Sequence, residues 1–511
     1  MSDREEGKLR SAEQPRNLRR TPLTADLESD QAELLRRFGN TDDFGCRRIP
    51  VGADGRQAVI LYFDSLVDKT VVDRFVVYEL ERMPSAEGGG LGELSTHGLA
   101  EVSTYEEVAD ALLQGRTAVL IDGRPRAWIA STDGGQRRAV TEPASEAVVR
   151  GPRESFNESL LTNLGLIRRR LYTPKIRVEN RAIGSISNTP VSVIYIEGIA
   201  KPDIVDEVRR RLDKIDIDGI VESQYIEEFI EDPVYSPFPT VFNTERPDRV
   251  AAALLEGRIA ILTEGTPVAL VVPATITLFL HSNEDYYQRF DIATLLKGLR
   301  TIAFFLSFLL PSFYVALLTF HQEMIPTPLL IALTGQREGV PFGIATEVFL
   351  MELTFEVLRE AGIRLPKTIG SAVSIVGGLV LGQAAVEASL VGPGTVIAVS
   401  ATAIASFTTP AYGFAIASRM IRFVMLLLTA MIGSFGFFFG LILLAIHLNS
   451  LRSFGVPYMS PIVPFHKRDW ADLLVRAPWW AMQRRPQEVA AAKKRFPSPQ
   501  KWNRPDGGRS E

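Results

Sequence analysis

Cysteine is almost absent from this chain. Cys46 is the only one in 511 residues, which excludes an internal disulfide and any cysteine-built zinc cage. Histidine is sparse too: His97, His281, His321, His447 and His466 stand apart, with no HExxH helix and no paired spacing. No glycine-rich phosphate loop follows a strand. The nearest approach, GIRLPKT from Gly362 to Thr368, lacks the second glycine that a P-loop needs. No enzymatic activity, catalytic residue, cofactor or metal is therefore expected. The N-terminus, MSDREEGKLR, is charged and has no apolar core, so no cleaved signal is expected.

What is present divides sharply in two. Charge is spread through the residues before about Lys297, whereas Leu299 to Leu448 holds long runs with almost none. The net charge is -4, yet the segment from Asn449 carries 12 Lys/Arg against 5 Asp/Glu. A basic segment beside the last apolar run predicts cytoplasmic retention rather than nucleic-acid binding. The expected protein is a multi-pass membrane protein with its soluble half and C-terminal tail in the cytoplasm.

Six apolar segments are candidates for the membrane: Thr301–Phe320, Met324–Leu333, Phe342–Leu358, Thr368–Leu390, Thr395–Ala417 and Phe423–Leu448. Met324–Leu333 is short and carries Pro326 and Pro328, so it is expected to turn back. With basic residues before the first span and after the last, the number of full crossings must be even. Either Phe342–Leu358, which carries Glu347, Glu352 and Glu356, or the segment broken at Pro410 must then lie in the interface or turn back.

The soluble half repeats itself. VADALLQGRTAVLIDGRPRA (Val108–Ala127) aligns without gaps on VAAALLEGRIAILTEGTPVA (Val250–Ala269), and Val59-Ile60 aligns on Val193-Ile194. Strands are expected at Ala58–Tyr62, Thr117–Ile121 and Arg126–Ile129, with helices at Lys69–Arg82 and Tyr105–Leu113. The fold class is thus an α/β soluble half built from two tandem copies of one α/β unit, followed by an α-helical multi-pass membrane domain. Expected boundaries are 1–50 for a disordered stretch or linker, disordered to about Thr21 with a short helix around Asp26–Arg37, then 51–140 for copy one and 141–180 for a linking helix. Copy two follows over 181–290, the membrane domain over 295–450 and a basic tail over 451–511. The linking helix ends in Arg168–Arg170, read either as a solvated end pairing with acids or as a phosphate or lipid-headgroup contact.

One helix has two unlike faces. In TIGSAVSIVGGLVLGQAAVEASL (Thr368–Leu390), Gly370, Ser374, Gly378 and Gly382 recur every four residues as a flat stripe suited to helix packing. About opposite stand Val376, Gln383 and Glu387, with Leu379 beside them. If several copies turn this face to a shared axis, Val376 and Leu379 form an apolar constriction and Gln383 and Glu387 a polar ring favouring cations. The alternative is hydrogen bonding inside a monomeric bundle. Glu352 and Glu356 share a helix face, with Arg359 a turn on. They are candidates for a cation path or for a surface helix with a local ion pair.

From Val148 to about Pro464 the chain resembles the A subunits of spore-germination nutrient receptors, the GerA family. The residues that carry the resemblance are VVRGPRESF (Val148–Phe156), SPFPTVFNTERPD (Ser236–Asp248), FHQEMIPT (Phe320–Thr327), LMELTFEVLREAGIRLP (Leu350–Pro366), GQAAVEASLV (Gly382–Val391), SFTTPAYG (Ser406–Gly413) and SFGVPY (Ser453–Tyr458). A further family stretch reads Gln336-Arg337-Glu338-Gly339-Val340-Pro341-Phe342 here, departing at its first residue. The resemblance implies a protein of the spore inner membrane that works with a transporter-like B subunit and a lipoprotein C subunit. It also implies a homo-oligomeric, ligand-gated cation channel in contact with membrane lipid, and no nucleic-acid partner. Two alternatives accompany it: a non-conducting scaffold for the B and C subunits, and the related spore membrane protein encoded with the dipicolinate-channel genes.

Overall fold

The computed structural model describes residues 21–51, 55–82, 99–134, 143, 146, 148–232, 235–365, 378, 380–466, 469–473, 475–492 and 494–495. The chain forms two compact units, one comprising residues 1–138 and 164–177 and the other residues 139–163 and 178–511.

The first unit is built on a five-stranded sheet in the order β1-β2-β4-β5-β3. Its strands are β1 (Phe44–Val51), β2 (Arg56–Phe63), β3 (Ala100–Val102), β4 (Thr117–Ile121) and β5 (Ala127–Ala130), and all neighbours run antiparallel. The apolar run Ala58-Val59-Ile60-Leu61 has no polar alternation because both sheet faces are covered. Val59 and Leu61 meet α1 (Leu27–Phe38) and α4 (Tyr105–Leu113) through Leu34, Phe38 and Val108. Ala58 and Ile60 face the other way, onto Val72, Val76 and Leu80. Those residues lie on one continuous helical run, in which α2 (Lys69–Val71) passes through a π-helical turn (Val72–Val77) that carries Val72 and Val76 into α3 (Tyr78–Arg82), which carries Leu80.

The short helix expected around Asp26–Arg37 is α1, whereas the linker expected to run on to residue 50 gives way to β1 from Phe44. Asp26 caps α1 by accepting from the Glu28 amide, and β1 adds an edge strand to the sheet. β1 escapes detection because Arg47 and Arg48 interrupt it, and charge on an edge strand faces water. The linking helix α5 (Leu160–Arg170) is where expected, but its end is not fully solvated. Arg168 is buried, with Nη2 donating to Asp43 Oδ1 at 2.6 Å and its guanidinium 4.2 Å above the Phe63 ring.

The second unit carries a sheet of the same order, β6-β7-β9-β10-β8. It comprises β6 (Ile176–Ile183), β7 (Thr189–Ile196), β8 (Phe242–Thr244), β9 (Ile259–Thr263) and β10 (Ala269–Val272). β6 begins inside the stretch expected to be linker. One sheet face packs on α6 (Pro202–Leu212) and α7 (Ser223–Ile230), and α8 (Pro247–Leu255) also contributes buried residues. The segment after 451 is not a free basic tail over its described residues. β11 (Arg452–Ser453) and β12 (Val456–Pro457) form a hairpin, and Phe454, Val456 and Val489 enter the same core as Val191 and Val193. Prolines and aromatics carry that packing, so no periodic pattern announces it.

The helical part comprises α9 (Ile276–Leu280), α10 (Phe290–Phe320), α11 (Thr327–Gly335), α12 (Ile344–Arg364), a helical run over 380–387, α13 (Pro393–Ser406), α14 (Tyr412–Ile432) and α15 (Ser434–Ser450). α10 and α14 are long and apolar enough to cross a membrane. The last apolar stretch is not one helix. Gly433, at φ 67°, separates α14 from α15 in a conformation that side chains resist. Gly436 then lets α15 close on α14, since a Cβ there would run into the Leu428 carbonyl oxygen.

Candidate functional site

Val376, Leu379, Gly370 and Ser374 lie outside the described residues. The rest of the two-faced helix is placed. Gly382 is buried toward α13, where a Cβ would lie 3.6 Å from Val396 Cγ1, whereas Gly378 is exposed with nothing near it. Gln383 and Glu387, on a different face, are both exposed on the single chain. Gln383 Nε2 donates to Glu387 Oε1 at 2.9 Å, the (i, i+4) contact of one helical turn. The helix therefore shows its neighbours within the chain a glycine. It shows its surroundings an amide and a carboxylate, flanked by the exposed Val380, Leu381 and Leu390.

Glu352 and Glu356 do not form a bare acidic wall. Glu352, on α12, is fully buried against the equally buried Arg422 of α14. Glu356 accepts from Arg419 Nη1 at 3.0 Å and lies 3.4 Å from Arg359 and 3.7 Å from Arg422 Nη2. Arg359 also donates to Ser406 Oγ at 3.1 Å, which adds the end of α13 to the cluster. Two carboxylates thus meet three guanidiniums among three apolar helices. Placing a span end at Ala417 and a new start at Phe423 hides Arg419 and Arg422 in a loop. The missed signal was their (i, i+3) spacing, matched to the (i, i+4) spacing of the two glutamates.

Glu347 is a second buried acid that sequence reasoning did not single out for a role. Its carboxylate accepts from Arg337 at 2.6 Å, from the Gly392 amide at 3.0 Å and from Thr395 Oγ1 at 3.1 Å. Negative charge at the start of α13 matches the positive end of that helix.

The family-like stretches also meet where the helices join the second sheet. Arg246 pairs with Asp248 at 2.9 Å and donates to the Pro152 carbonyl, while the Phe156 amide donates to Glu245 O at 2.8 Å. Ser453 Oγ donates to Thr240 O at 2.6 Å and accepts from the Ala274 amide at 2.9 Å. An aromatic stack runs from the α/β unit into the helices: Phe279 on Phe414 at 5.5 Å and Phe414 on Phe304 at 4.7 Å. Lys297, at the start of α10, pairs with Asp472 at 2.8 Å.

Beside this junction, a pocket of about 260 Å³ is lined by Glu146, Glu222, Glu227, Glu245, Pro410 and Tyr412, among others. Burial, reinforced by the nearby Glu231, pushes the Glu227 carboxyl up to about 7. The folded state therefore holds that proton more tightly than the unfolded chain. The stability from this group is full below the ordinary glutamate range and declines as pH rises to about 7. Glu227→Gln is expected to raise the stability of the protein at pH 8 by roughly 3 kcal/mol, at ~1.4 kcal/mol per pKa unit, and to change little at pH 4. Thermal melts of both proteins at the two pH values check this; an equal shift at both would contradict it.

Among the described residues no group of three or more His, Cys, Asp or Glu is arranged to hold a metal. What the site offers is fixed charge, hydrogen bonding and apolar closure, which are the elements of an ion pathway or of an assembly surface.

Two sheets of like strand order joined to a helical part, with two helices long and apolar enough to cross a membrane and a buried ion cluster, define an α/β–helical protein. The chain belongs to the GerA family: the model for the Bacillus/Clostridium GerA spore germination protein matches residues 32–488. It is similar to spore germination protein KA of Bacillus subtilis, 45% identical over 475 residues covering 92% of this chain and 87% of that protein. It is also similar to spore germination protein GerLA of Bacillus cereus, 38% identical over 91% of this chain and 96% of that protein. Among solved structures it is similar to the N-terminal domain of the A subunit of the Bacillus megaterium spore germinant receptor GerK3. That match is 31% identical, with a TM-score of 0.39, covering 50% of this chain and 98% of that one.

Proposed function

We propose that this chain is the A subunit of a nutrient germinant receptor in the spore inner membrane. In this reading several copies surround a cation pathway lined by Val376, Leu379, Gln383 and Glu387. The observation that carries it is the exposure of the Gln383–Glu387 pair on the single chain. An ionisable side chain in a membrane segment faces protein or water, because lipid offers it no partner. Nothing in the chain covers this one among the described residues, so a shared axis between copies is the environment that suits it. Exposed apolar residues on α11 and α12, such as Ile331 and Val357, leave further surface for contact between copies or with lipid.

Gly370, Ser374, Gly378 and Gly382 are assigned to packing, and Val376 with Leu379 to an apolar gate that excludes water when closed. Glu352 and Glu356 contribute to the path only indirectly, because the arginines beside them cancel their charge. The lower ends of the helices support an even number of crossings. Lys297 before the apolar part of α10 and Ser453 after α15 are both tied to one folded body. The identical strand order of the two sheets supports a tandem duplication of the soluble half. Transporter-like B and lipoprotein C subunits complete the receptor, with the α/β units as the part that couples to them.

The test is electrical. In planar bilayers under a potassium chloride gradient, the purified oligomer is expected to pass a cation-selective current, and Glu387→Gln to move the reversal potential toward zero. A non-conducting scaffold gives no current in either protein.

A further inference from the structure

A cavity of about 380 Å³ lies where the helices meet the α/β unit, lined by α9, the first half of α10, α14, α15 and the segment after 451. Its walls are apolar: Phe304 and Phe308 of α10, Ile421 of α14, and Leu441 and Leu444 of α15 are among them. It sits within the roughly 300–1,000 Å³ range of small-molecule sites. At ~30 Å³ per water-sized group, it holds roughly a dozen methylenes.

The surroundings narrow what belongs there. Leu299 and Ile302 of α10 and Leu443 and Ile446 of α15, at the same level as the cavity, are exposed apolar residues that suit a lipid environment. Trp470 lines the cavity, and Trp479 and Trp480 are exposed on the same segment, as tryptophans are at a membrane–water boundary. The polar groups at the cavity offer no unpaired charge. Lys297 is paired with Asp472, and burial next to Lys297 holds His281 down to about 4 and so neutral. A charged headgroup has no counter-ion here, whereas an alkyl chain needs none. An apolar lining of this size gains dispersion contacts from an alkyl chain, which can move in from the bilayer without losing water.

We propose that this cavity is a lipid site, in which one acyl chain from the bilayer inserts between α10 and α15 with its headgroup left outside. The proposal rests on the reading that α10 and α15 lie in a membrane. The chain fills the joint between the helices and the second α/β unit, beside the Phe279–Phe414–Phe304 stack. It acts there as a structural part of the joint.

The test uses the full-length protein in liposomes doped with phosphatidylcholine that carries a diazirine in mid-chain. After irradiation, adducts are mapped by peptide mass spectrometry. Adducts are expected on Phe304, Phe308, Leu441 and Leu444. Ala445→Trp, which fills the cavity, is expected to lower them about tenfold while sparing those on Ile302 and Ile446. Thr301→Phe, which narrows the cavity from α10, is the second variant should the first melt early. Adducts on the outer residues with the cavity residues unlabelled overturn the proposal. So do cavity adducts that neither variant changes. Cavity labelling by a diazirine-bearing long-chain alcohol, but not by the phospholipid, overturns it in favour of a free amphiphile. Absence of any adduct on α10 or α15 instead overturns the membrane placement of these helices, and the proposal with it.

Discussion

Arg422→Leu is expected to destabilise the purified protein by about 3–5 kcal/mol. Arg422 and Glu352 are both fully buried, and α12 and α14 offer Glu352 no other partner of comparable closeness. Removing the guanidinium strands a carboxylate among apolar side chains, where it must either stay charged without solvation or take up a proton. The pair itself contributes much less than that loss, because burying two charges offsets most of their attraction. Glu352→Leu combined with Arg422→Leu should therefore recover most of the lost stability, leaving Glu356 with Arg419 and Arg359. A double-mutant cycle by thermal unfolding in detergent checks both statements. A single variant as stable as the unchanged protein would show that the cluster does not hold α12 on α14.

Leu379→Ala is expected to open the proposed gate. An apolar constriction blocks ions because water leaves it, and truncating leucine to alanine removes roughly 2–3 kcal/mol of apolar character per side chain. At ~1.4 kcal/mol per factor of ten, leak through the closed state should rise on the order of a hundredfold. The rise would be larger if every copy in a ring contributes. Liposomes loaded with a potassium-sensitive dye report the leak in the absence of any nutrient. Equal leak from altered and unaltered protein would place the gate elsewhere or remove it.

Much of the soluble half was legible because its elements obey local rules. Val59 to Leu61 and Ala118 to Ile121 are apolar throughout because helices cover both sheet faces, and α4 has Thr104 as an N-cap and a buried Val108, Leu112 stripe. What escaped depends on distant partners. β1 is held by pairing with β2 despite Arg47 and Arg48, and β6 starts in what sequence alone assigns to a linker. Phe454 and Val489 look like tail residues until the second sheet supplies their core. Within the helices, the apolar runs were visible but their breaks were not. Gly433 divides a stretch whose hydropathy is continuous, since a single glycine at positive φ leaves no periodic trace.

The candidate site was legible in part for the same reason. Gln383 and Glu387 stand out because amides and carboxylates are rare in such a helix, and Gly382 because it recurs in a stripe. In the proposed reading their environment is supplied by other copies, which a single chain does not contain. The arginines that neutralise Glu352 and Glu356 required knowing that α14 runs unbroken through Ser418 to Arg422. The family resemblance, by contrast, was carried by irregular stretches such as NTERPD and SFGVPY. In the structure NTERPD holds the buried Arg246–Asp248 pair, and SFGVPY forms a hairpin whose Ser453 hydroxyl donates to the Thr240 carbonyl.

The central claim is that the Gln383–Glu387 face lines a path shared by several copies. Because Cys46 is the only native cysteine and is exposed, Cys46→Ser gives a clean background for introducing Gln383→Cys. The most direct measurement is current through this variant in a planar bilayer while a charged, membrane-impermeant thiol reagent is added. The account predicts a cation-selective current that falls in several discrete steps as each copy in the ring is modified. A steady current while mass spectrometry shows the cysteine fully modified would contradict it, as would the absence of current from intact oligomers.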